Sequence, residues 1–416
     1  MSHLSSYLKR ISQDTFSSLH VRNYRLYYFG QIISTSGTFM QSVAQAWLVL
    51  QLTNSGTALG LVAALQNLPI LILGPYGGVI ADRISRRKIL FFTQSCSGAL
   101  ALILGILVAT NLVQVWMVYI LASCLGLINV FDNPTRQTFY MELVGPDNLR
   151  NAITLYSILV NLSRIIGPAI AAALIAAVGL APCFIINGIS YGAVIIMLAL
   201  MHTDELLLTP PVPPAKGQLS EGFKYVFSTP IVGSVLLMMA IVGTLTFEFQ
   251  VSLPLIAQFT FNGNASSYAF LTASMGVGAA FGGLFLASRK GITPYKLVNA
   301  ALLFGAAVLI AAFMPTLLLS GLAMVFVGIC SINFSSLGNS TLQLTASPQM
   351  RGRVMAFWSV AFLGSTTIGG PLVGWFAGVA GARWGLALGG FAALLAAALG
   401  VFTFRSFQTA KNQFRS

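Results

Sequence analysis

The sequence predicts an all-α integral membrane protein with twelve transmembrane helices in two six-helix halves. Of its 416 residues, 56% are hydrophobic and only 7% are charged. Such a composition is typical of a chain whose solvent is mainly the bilayer. A spanning helix needs roughly 20 apolar residues. Runs of this kind lie near 26–50, 57–81, 89–110, 113–133, 151–177, 181–201, 231–257, 266–288, 295–314, 317–340, 354–379 and 384–404.

The placement of the basic residues predicts the topology. If the N-terminus is inside, all but two of the 22 Lys and Arg residues fall in cytoplasmic segments; Arg164 lies within a span and Arg383 in an outer loop. This asymmetry follows the positive-inside rule. We therefore expect both termini to be cytoplasmic. The net charge of +13 then reflects topology, and we expect no nucleic-acid partner.

A polar, proline-rich segment divides the chain. It covers 202–230 and separates an N-terminal half, 1–201, from a C-terminal half, 231–416. The halves resemble an internal repeat, in which Gly167-Pro168 of the fifth span corresponds to Gly370-Pro371 of the eleventh. We expect Gly167, Pro168, Gly370 and Pro371 to bend or thin their helices, because proline removes a helical hydrogen bond.

Polar residues inside apolar spans predict where a substrate binds, because lipid-facing positions penalise them. They recur at helical spacing in the first span and reappear in the fifth and tenth. The alternative interpretation is interhelical hydrogen bonding in a dry bundle. The predicted cavity residues are Gln31, Thr35, Thr38, Gln41, Gln45, Asn161, Arg164 and Asn333.

Three ionisable residues within or at the inner ends of spans are candidates for ion coupling or binding: Asp132, Arg164 and Glu248. A central charge costs roughly 2.5–3.5 kcal/mol on insertion scales, so such groups pair, face water or titrate. We predict that Glu248, in the outer half of span seven, carries a coupled proton, with Asp132 as the next candidate. A permanent ion pair or a neutral, hydrogen-bonded Glu248 is the structural alternative. Arg164 either anchors an anionic substrate group or fixes the bundle.

A charged turn follows the second span. Its residues Gly78, Ala81, Asp82, Arg83, Arg86 and Arg87 match the loop signature G-x-L-A-D-R-x-G-R-R, so the segment resembles that of the major facilitator superfamily. Ile80 and Ser85 depart from the signature. The resemblance implies a latch that holds the inner side of the transporter closed in one state. The predicted latch residues are Gly78, Asp82, Arg83, Arg86, Arg87, Arg136, Arg351 and Arg353.

Three segments, 22–88, 132–137 and 247–251, resemble one branch of this superfamily, which contains enterobactin exporters and macrolide-efflux-like proteins. The resemblance implies proton-driven export of an amphiphilic compound, siderophore or drug-like, from a bacterial cytoplasm by alternating access. Tyr, Phe and Met side chains are expected to supply most of the affinity. We expect a monomer in the cytoplasmic membrane, with small-molecule substrate, protons and membrane lipids as its partners.

Two other functions stay open from the sequence. A lysophospholipid or lipid flippase of the same superfamily would use apolar, aromatic helix faces and a lateral opening. A membrane-embedded enzyme has weaker support, because general acid-base chemistry has few candidate residues. The four cysteines are scattered and the three histidines lie in the tail or the central segment. We therefore expect no metal and no cofactor.

Overall fold

The computed structural model describes residues 16–81, 84–207, 218–287, 294–347 and 350–413, and these ranges contain helices and no strand. The first six long helices are α1 (Arg22–Thr53), α2 (Gly56–Ala81), α3 (Arg86–Ala109), α4 (115–144), α5 (146–178) and α6 (Ala181–Ala199). Helices α4 and α5 run on from one another across Gly145, whose φ of 70° is the one non-helical position between them. Glycine adopts this left-handed conformation without steric cost.

The remaining helices follow a short amphipathic helix, α7 (Gln218–Ser228). They are α8 (Pro230–Leu245), α9 (Phe249–Leu255), α10 (Ala265–Ala287), α11 (Pro294–Ala312), α12 (Leu317–Thr345), α13 (Arg351–Ser359), α14 (Thr366–Ala380) and α15 (Ala382–Gln413). Pairs α8/α9 and α13/α14 each form one predicted span, so twelve spans result. The predicted fold class is confirmed.

Nine helical segments of the described chain are long and apolar enough to cross a membrane, and one of them is the α4–α5 pair. Helices α1 and α10, of 32 and 23 residues, complete the set. The polar stripe of α1 lowers its hydropathy. Large apolar side chains such as Phe92 and Phe402 are 68% and 75% exposed, as expected on faces whose solvent is lipid.

Two predicted spans differ from the structure in a way that matters for function. The seventh was predicted as a continuous helix, but it breaks at residues 246–248, and α9 begins after Glu248. The eleventh contains a π-helical segment, Val360–Gly364, between α13 and α14. Breaks and π-turns in otherwise regular helices are frequent at functional sites, because they redirect side chains and free backbone groups.

The chain forms two compact units. The first comprises residues 1–42, 72–113 and 124–214, and the second comprises 43–71, 114–123 and 215–416. The core of the first unit is rich in aromatic residues, with Tyr24, Tyr27 and Phe139 almost fully buried. The core of the second includes Phe304, whose ring lies 6.3 Å from that of Phe334.

Candidate functional site

The first unit contains a buried ion pair between Asp132 and Arg136 of α4. The Asp132 carboxylate is 2% exposed and accepts hydrogen bonds from Thr93 Oγ1 at 2.7 Å and Gln94 Nε2 at 2.8 Å. Arg136 Nη1 donates to Gln31 Oε1 at 2.6 Å. The two charges therefore compensate each other. One network joins Asp132, Arg136 and Gln31, although the sequence predicts a different role for each.

Several polar atoms near this network have no partner among the described residues. They include Gln31 Nε2, Gln94 Oε1 and the hydroxyls of Tyr27 and Tyr140, whose rings lie 5.9 Å apart. A buried polar atom without a hydrogen bond costs about 1–3 kcal/mol. The region therefore combines a fixed ion pair with unused hydrogen-bonding capacity.

The polar stripe of α1 has features of both a cavity wall and a dry helix interface. Gln41 Oε1 accepts from Asn187 Nδ2 of α6 at 2.7 Å, which is the interhelical bond of a dry bundle. Thr38 is exposed, as a cavity residue would be, and Gln45 is partly exposed. Thr35 Oγ1 is buried without a partner in the described chain.

Arg164 of α5 lies over the Phe39 ring, with its guanidinium carbon 5.8 Å from the ring centroid. No ion pair of Arg164 occurs among the described residues. The Asn161 amide donates to the Ser157 carbonyl at 2.9 Å rather than to Arg164. An aromatic ring stabilises a cation without neutralising it, so the anion-anchoring role of Arg164 stays a prediction.

Gly167 brings α5 into backbone contact with α1. A Cβ at Gly167 would lie 2.6 Å from Phe39 Cβ and 2.8 Å from the Met40 nitrogen. Residues 167–168 are α-helical, and the break in this stretch is at Gly145 instead. The helix is thin at Gly167, while bends at Gly167-Pro168 and Gly370-Pro371 stay predictions.

Two latch residues of the first unit have defined partners. Arg86 forms an ion pair with Glu142 of α4, which is 3% exposed, and Arg87 Nε donates to the Leu198 carbonyl at 2.8 Å. Gly78 lies within α2. The remaining latch residues of this turn, Asp82 and Arg83, lie outside the described residues.

The latch residues of the second unit lie at the start of α13. Arg353 pairs with Glu221 of α7 at 2.5 Å, and Glu221 is 62% exposed. Arg351 is exposed. Because the Arg353 pair is partly solvated, it contributes little to stability and can break during a conformational change.

Glu248 is 3% exposed and lies at the helix break, where its backbone carbonyl accepts from the Ser252 nitrogen at 2.9 Å. Oε1 of its carboxylate has no hydrogen-bond partner among the described residues. Helices α10, α14 and α15 pack against α9. Of their described titratable groups, Tyr268 of α10 is buried, and Arg383 of α15 donates to carbonyls elsewhere.

A glycine seam joins α2 to α14 within the second unit. It consists of Gly56 and Gly60 on α2 and Gly370 and Gly374 on α14. A Cβ at Gly56 would lie 2.6 Å from the Gly374 oxygen, and one at Gly370 would lie 2.9 Å from the Gly60 oxygen. The two backbones are therefore in direct contact, as in other small-residue helix interfaces in membranes.

The seam lies directly beside Glu248. A Cβ at Gly369 would lie 2.9 Å from Glu248 Oε1, and one at Gly370 would lie 3.5 Å from Oε2. The carboxylate thus packs against the backbone of the same helix that closes on α2. Glu248 and Gly370 are both candidates from the sequence, but their proximity is not predicted. The four-residue spacing of the glycines in both helices is the pattern that indicates the seam.

The second unit also contains a cavity of about 320 Å³ along α12. It is lined by four polar residues of that helix and two aromatic residues of the eleventh span: Ser335, Ser336, Asn339, Ser340, Trp358 and Phe362. Asn333, the residue predicted to line a cavity from α12, is not among them. The polar residues Ser335, Ser336 and Asn339 near Asn333 indicated a polar helix face in the sequence. No sequence pattern indicated that Trp358 and Phe362 would lie beside them.

The sequence of this chain matches one family model and is similar to those of several known transporters. The family model described as transmembrane secretion effector matches residues 13–415. The multidrug efflux pump Tap of Mycolicibacterium fortuitum is 24% identical over 86% of this chain and 89% of its own length. The enterobactin exporter EntS of Escherichia coli is 25% identical over 84% of each chain.

A solved structure gives the same fold at lower identity. A bacterial homologue of the human lysosomal transporter Spinster has a TM-score of 0.75 and 15% sequence identity, covering 93% of this chain and 98% of its own. At such low identity the likeness establishes the fold alone.

Proposed function

Since the chain belongs to the major facilitator superfamily, in the family of transmembrane secretion effectors, we propose that it exports an amphiphilic organic molecule, siderophore or drug-like, in exchange for protons. The family and the relatives described above are transporters and not enzymes. The proposal of proton coupling rests on the buried Glu248 carboxylate beside the glycine seam. Alternating access then moves the substrate between the two sides of the membrane.

The charge distribution supports the orientation that we propose. With both termini cytoplasmic, all Lys and Arg residues except Arg164 and Arg383 follow the positive-inside rule. We propose a monomer in the bacterial cytoplasmic membrane. Gly56, the first residue of α2, then lies at the outer end of that helix, and Glu248 lies in the outer half of its span. Protons that enter from outside therefore meet Glu248 when the outer side is open.

The two buried carboxylates differ in what protonation would do. A proton on Asp132 would break an ion pair with Arg136 and weaken bonds from Thr93 and Gln94. Glu248 has no charged partner among the described residues. We therefore assign proton coupling to Glu248 and a structural role to Asp132.

The glycine seam links protonation of Glu248 to helix movement. Closure of α2 on α14 removes water from the neighbourhood of Glu248, and burying an uncompensated carboxylate is strongly unfavourable. A neutral carboxylic acid is much less costly to bury. We propose that the seam closes over protonated Glu248 and opens when the proton leaves, so that the outer gate is tied to proton transfer.

The membrane potential supplies the driving force. It contributes about 2.3 kcal/mol per elementary charge per 100 mV, so one inward proton per cycle suffices for an accumulation of roughly 50-fold at that potential, since every 1.4 kcal/mol is a factor of ten. Arg353–Glu221 and the turn containing Asp82 would act as the inner latch. The partly solvated Arg353 pair is suited to repeated breaking.

Reconstituted protein tests the proposal. Proteoliposomes that contain a pH-sensitive dye should show proton movement when a siderophore, a macrolide or a lipophilic dye is transported, and nigericin, which collapses the pH gradient, should reduce uphill transport. Protein-free liposomes are the control for passive leakage. Substrate transport without proton movement, unaffected by nigericin, would contradict proton coupling while leaving the transport function intact.

A further inference from the structure

The cavity along α12 has one polar wall with unused hydrogen-bonding groups. Three hydroxyls of this helix donate to its own backbone: Ser331 to the Gly328 carbonyl at 2.8 Å, Ser335 to the Ser331 carbonyl at 2.9 Å and Thr341 to the Leu337 carbonyl at 2.7 Å. Ser336 and Ser340 form no such bond within the described chain. They are four residues apart, so they lie on one face of the helix, and both line the cavity.

Asn339 extends the same wall. Its Oδ1 accepts from Gln343 Nε2 at 2.6 Å, and this bond fixes the orientation of the amide. The Nδ2 group donates to no described residue, so the wall presents two hydroxyls and an amide donor. A ligand with oxygen acceptors or hydroxyls matches this set.

The opposite wall is aromatic and firmly held. Trp358 is 7% exposed, and its indole packs on the backbone of α12 at Gly338, where a Cβ would lie 2.7 Å from Cη2. Phe362 lies four residues later, and its ring contacts that of Phe247 edge-on with centroids 5.1 Å apart. A preformed aromatic surface favours a flat ring, because aromatic contacts add about 0.5–1.5 kcal/mol to burial.

The size and charge of the cavity restrict the ligand further. All six lining residues are uncharged. A charged group would lose hydration here without gaining an opposite charge. A volume of about 320 Å³ is at the lower end of the range of small-molecule sites, which suits one ring system rather than a whole macrocycle.

We propose that this cavity binds an uncharged, ring-bearing part of an organic ligand, with the ring against Trp358 and Phe362 and its oxygens bonded to Ser336, Ser340 and Asn339. That the ligand is a transport substrate rests on the proposed function. Binding itself requires neither a proton gradient nor Glu248. The two proposals can therefore fail separately.

Equilibrium binding to the purified full-length protein in nanodiscs tests the site. The probes are the neutral 4-methylumbelliferyl β-D-glucoside and the anionic 8-anilinonaphthalene-1-sulfonate, with empty nanodiscs correcting for partition into lipid. The Ser336→Ala, Ser340→Ala double variant should bind the neutral probe at least about tenfold more weakly, since each lost hydrogen bond weakens binding by several-fold. Trp358→Leu should weaken it similarly.

Ser331→Ala is the matched control, because Ser331 lies on the same helix and donates to its own backbone but does not line the cavity. It should leave the affinity within about twofold of the wild type. Equal losses in the control and the double variant, the absence of saturable binding of the neutral probe, or displacement of that probe by the anionic one at equal concentration would each overturn the proposal. A thermal unfolding scan of each variant verifies that the fold is retained.

Discussion

Replacing Asp132 by Asn should destabilise the protein strongly. The substitution keeps the shape of the side chain but leaves the largely buried Arg136 guanidinium without its counter-ion, while Gln31 remains as a neutral acceptor. Breaking a buried ion pair by removing one partner costs about 3–5 kcal/mol. The four hydrogen bonds that the Asp132 carboxylate accepts place the expected loss in the upper part of this range.

The free energy of unfolding, measured by titration with sodium dodecyl sulfate in mixed micelles, provides the assay. Asp147→Asn is the control, because Asp147 is exposed, and it should change the free energy by less than about 0.5 kcal/mol. Adding Arg136→Met to Asp132→Asn removes the uncompensated charge and should recover most of the loss. A single variant within about 1 kcal/mol of the wild type, or a double variant no more stable than the single one, would refute this account of the network.

Two further predictions use neighbouring pairs of residues with contrasting environments. Gly374→Ala should prevent closure of the glycine seam, because its Cβ would meet the Gly56 backbone, whereas nothing lies within 4 Å of a Cβ at Gly378 in the same helix. Overpacking of about 1–3 kcal/mol would lower the closed population by roughly fivefold to 150-fold. Spin labels at the N-terminal end of α2 and the C-terminal end of α14 would measure this change, and equal distance distributions in Gly374→Ala and Gly378→Ala would contradict the seam. Arg86→Gln should lower the free energy of unfolding by about 3 kcal/mol or more, because it leaves Glu142 buried and unpaired. Arg353→Gln should lower it by less than about 1 kcal/mol, because its partner Glu221 is solvated. Unfolding titrations that rank the two variants in the opposite order would contradict the difference between the two ion pairs.

The sequence was sufficient for the helices because the bilayer imposes a simple rule on them. Apolar runs of spanning length and the distribution of basic residues are local properties, so the twelve spans could be predicted, with most of their ends within a few residues. The extension of α4 from the predicted residue 133 to residue 144 was not predicted, since polar residues there end the apolar run without ending the helix.

The break at Glu248 had no local signal. The surrounding segment, Phe247-Glu248-Phe249-Gln250, contains neither glycine nor proline, which are the usual causes of a break. It depends on tertiary contacts, such as the hydrogen bond from the Thr246 hydroxyl to the Gly389 carbonyl at 2.7 Å. No pattern within one helix reveals a bond of this kind.

The residues that form each site could be predicted only in part, because many of their contacts are between different helices. The spacing of Asp132 and Arg136 is that of an ion pair on one helix, but their partners Gln31, Thr93 and Gln94 come from two other helices. Likewise, the polar character of α12 was evident, while the aromatic wall opposite it depends on how the eleventh span packs. Residue type is readable from a sequence, whereas proximity between helices requires the fold.

The central claim is that Glu248 carries the coupled proton, and one comparison of transport modes tests it most directly. In proteoliposomes, Glu248→Gln, which mimics the protonated side chain, should retain exchange of substrate down its gradient but lose accumulation driven by an imposed pH gradient. Glu205→Gln, at an exposed acidic residue, should retain both activities. Gradient-driven accumulation at the wild-type level in Glu248→Gln would contradict the claim.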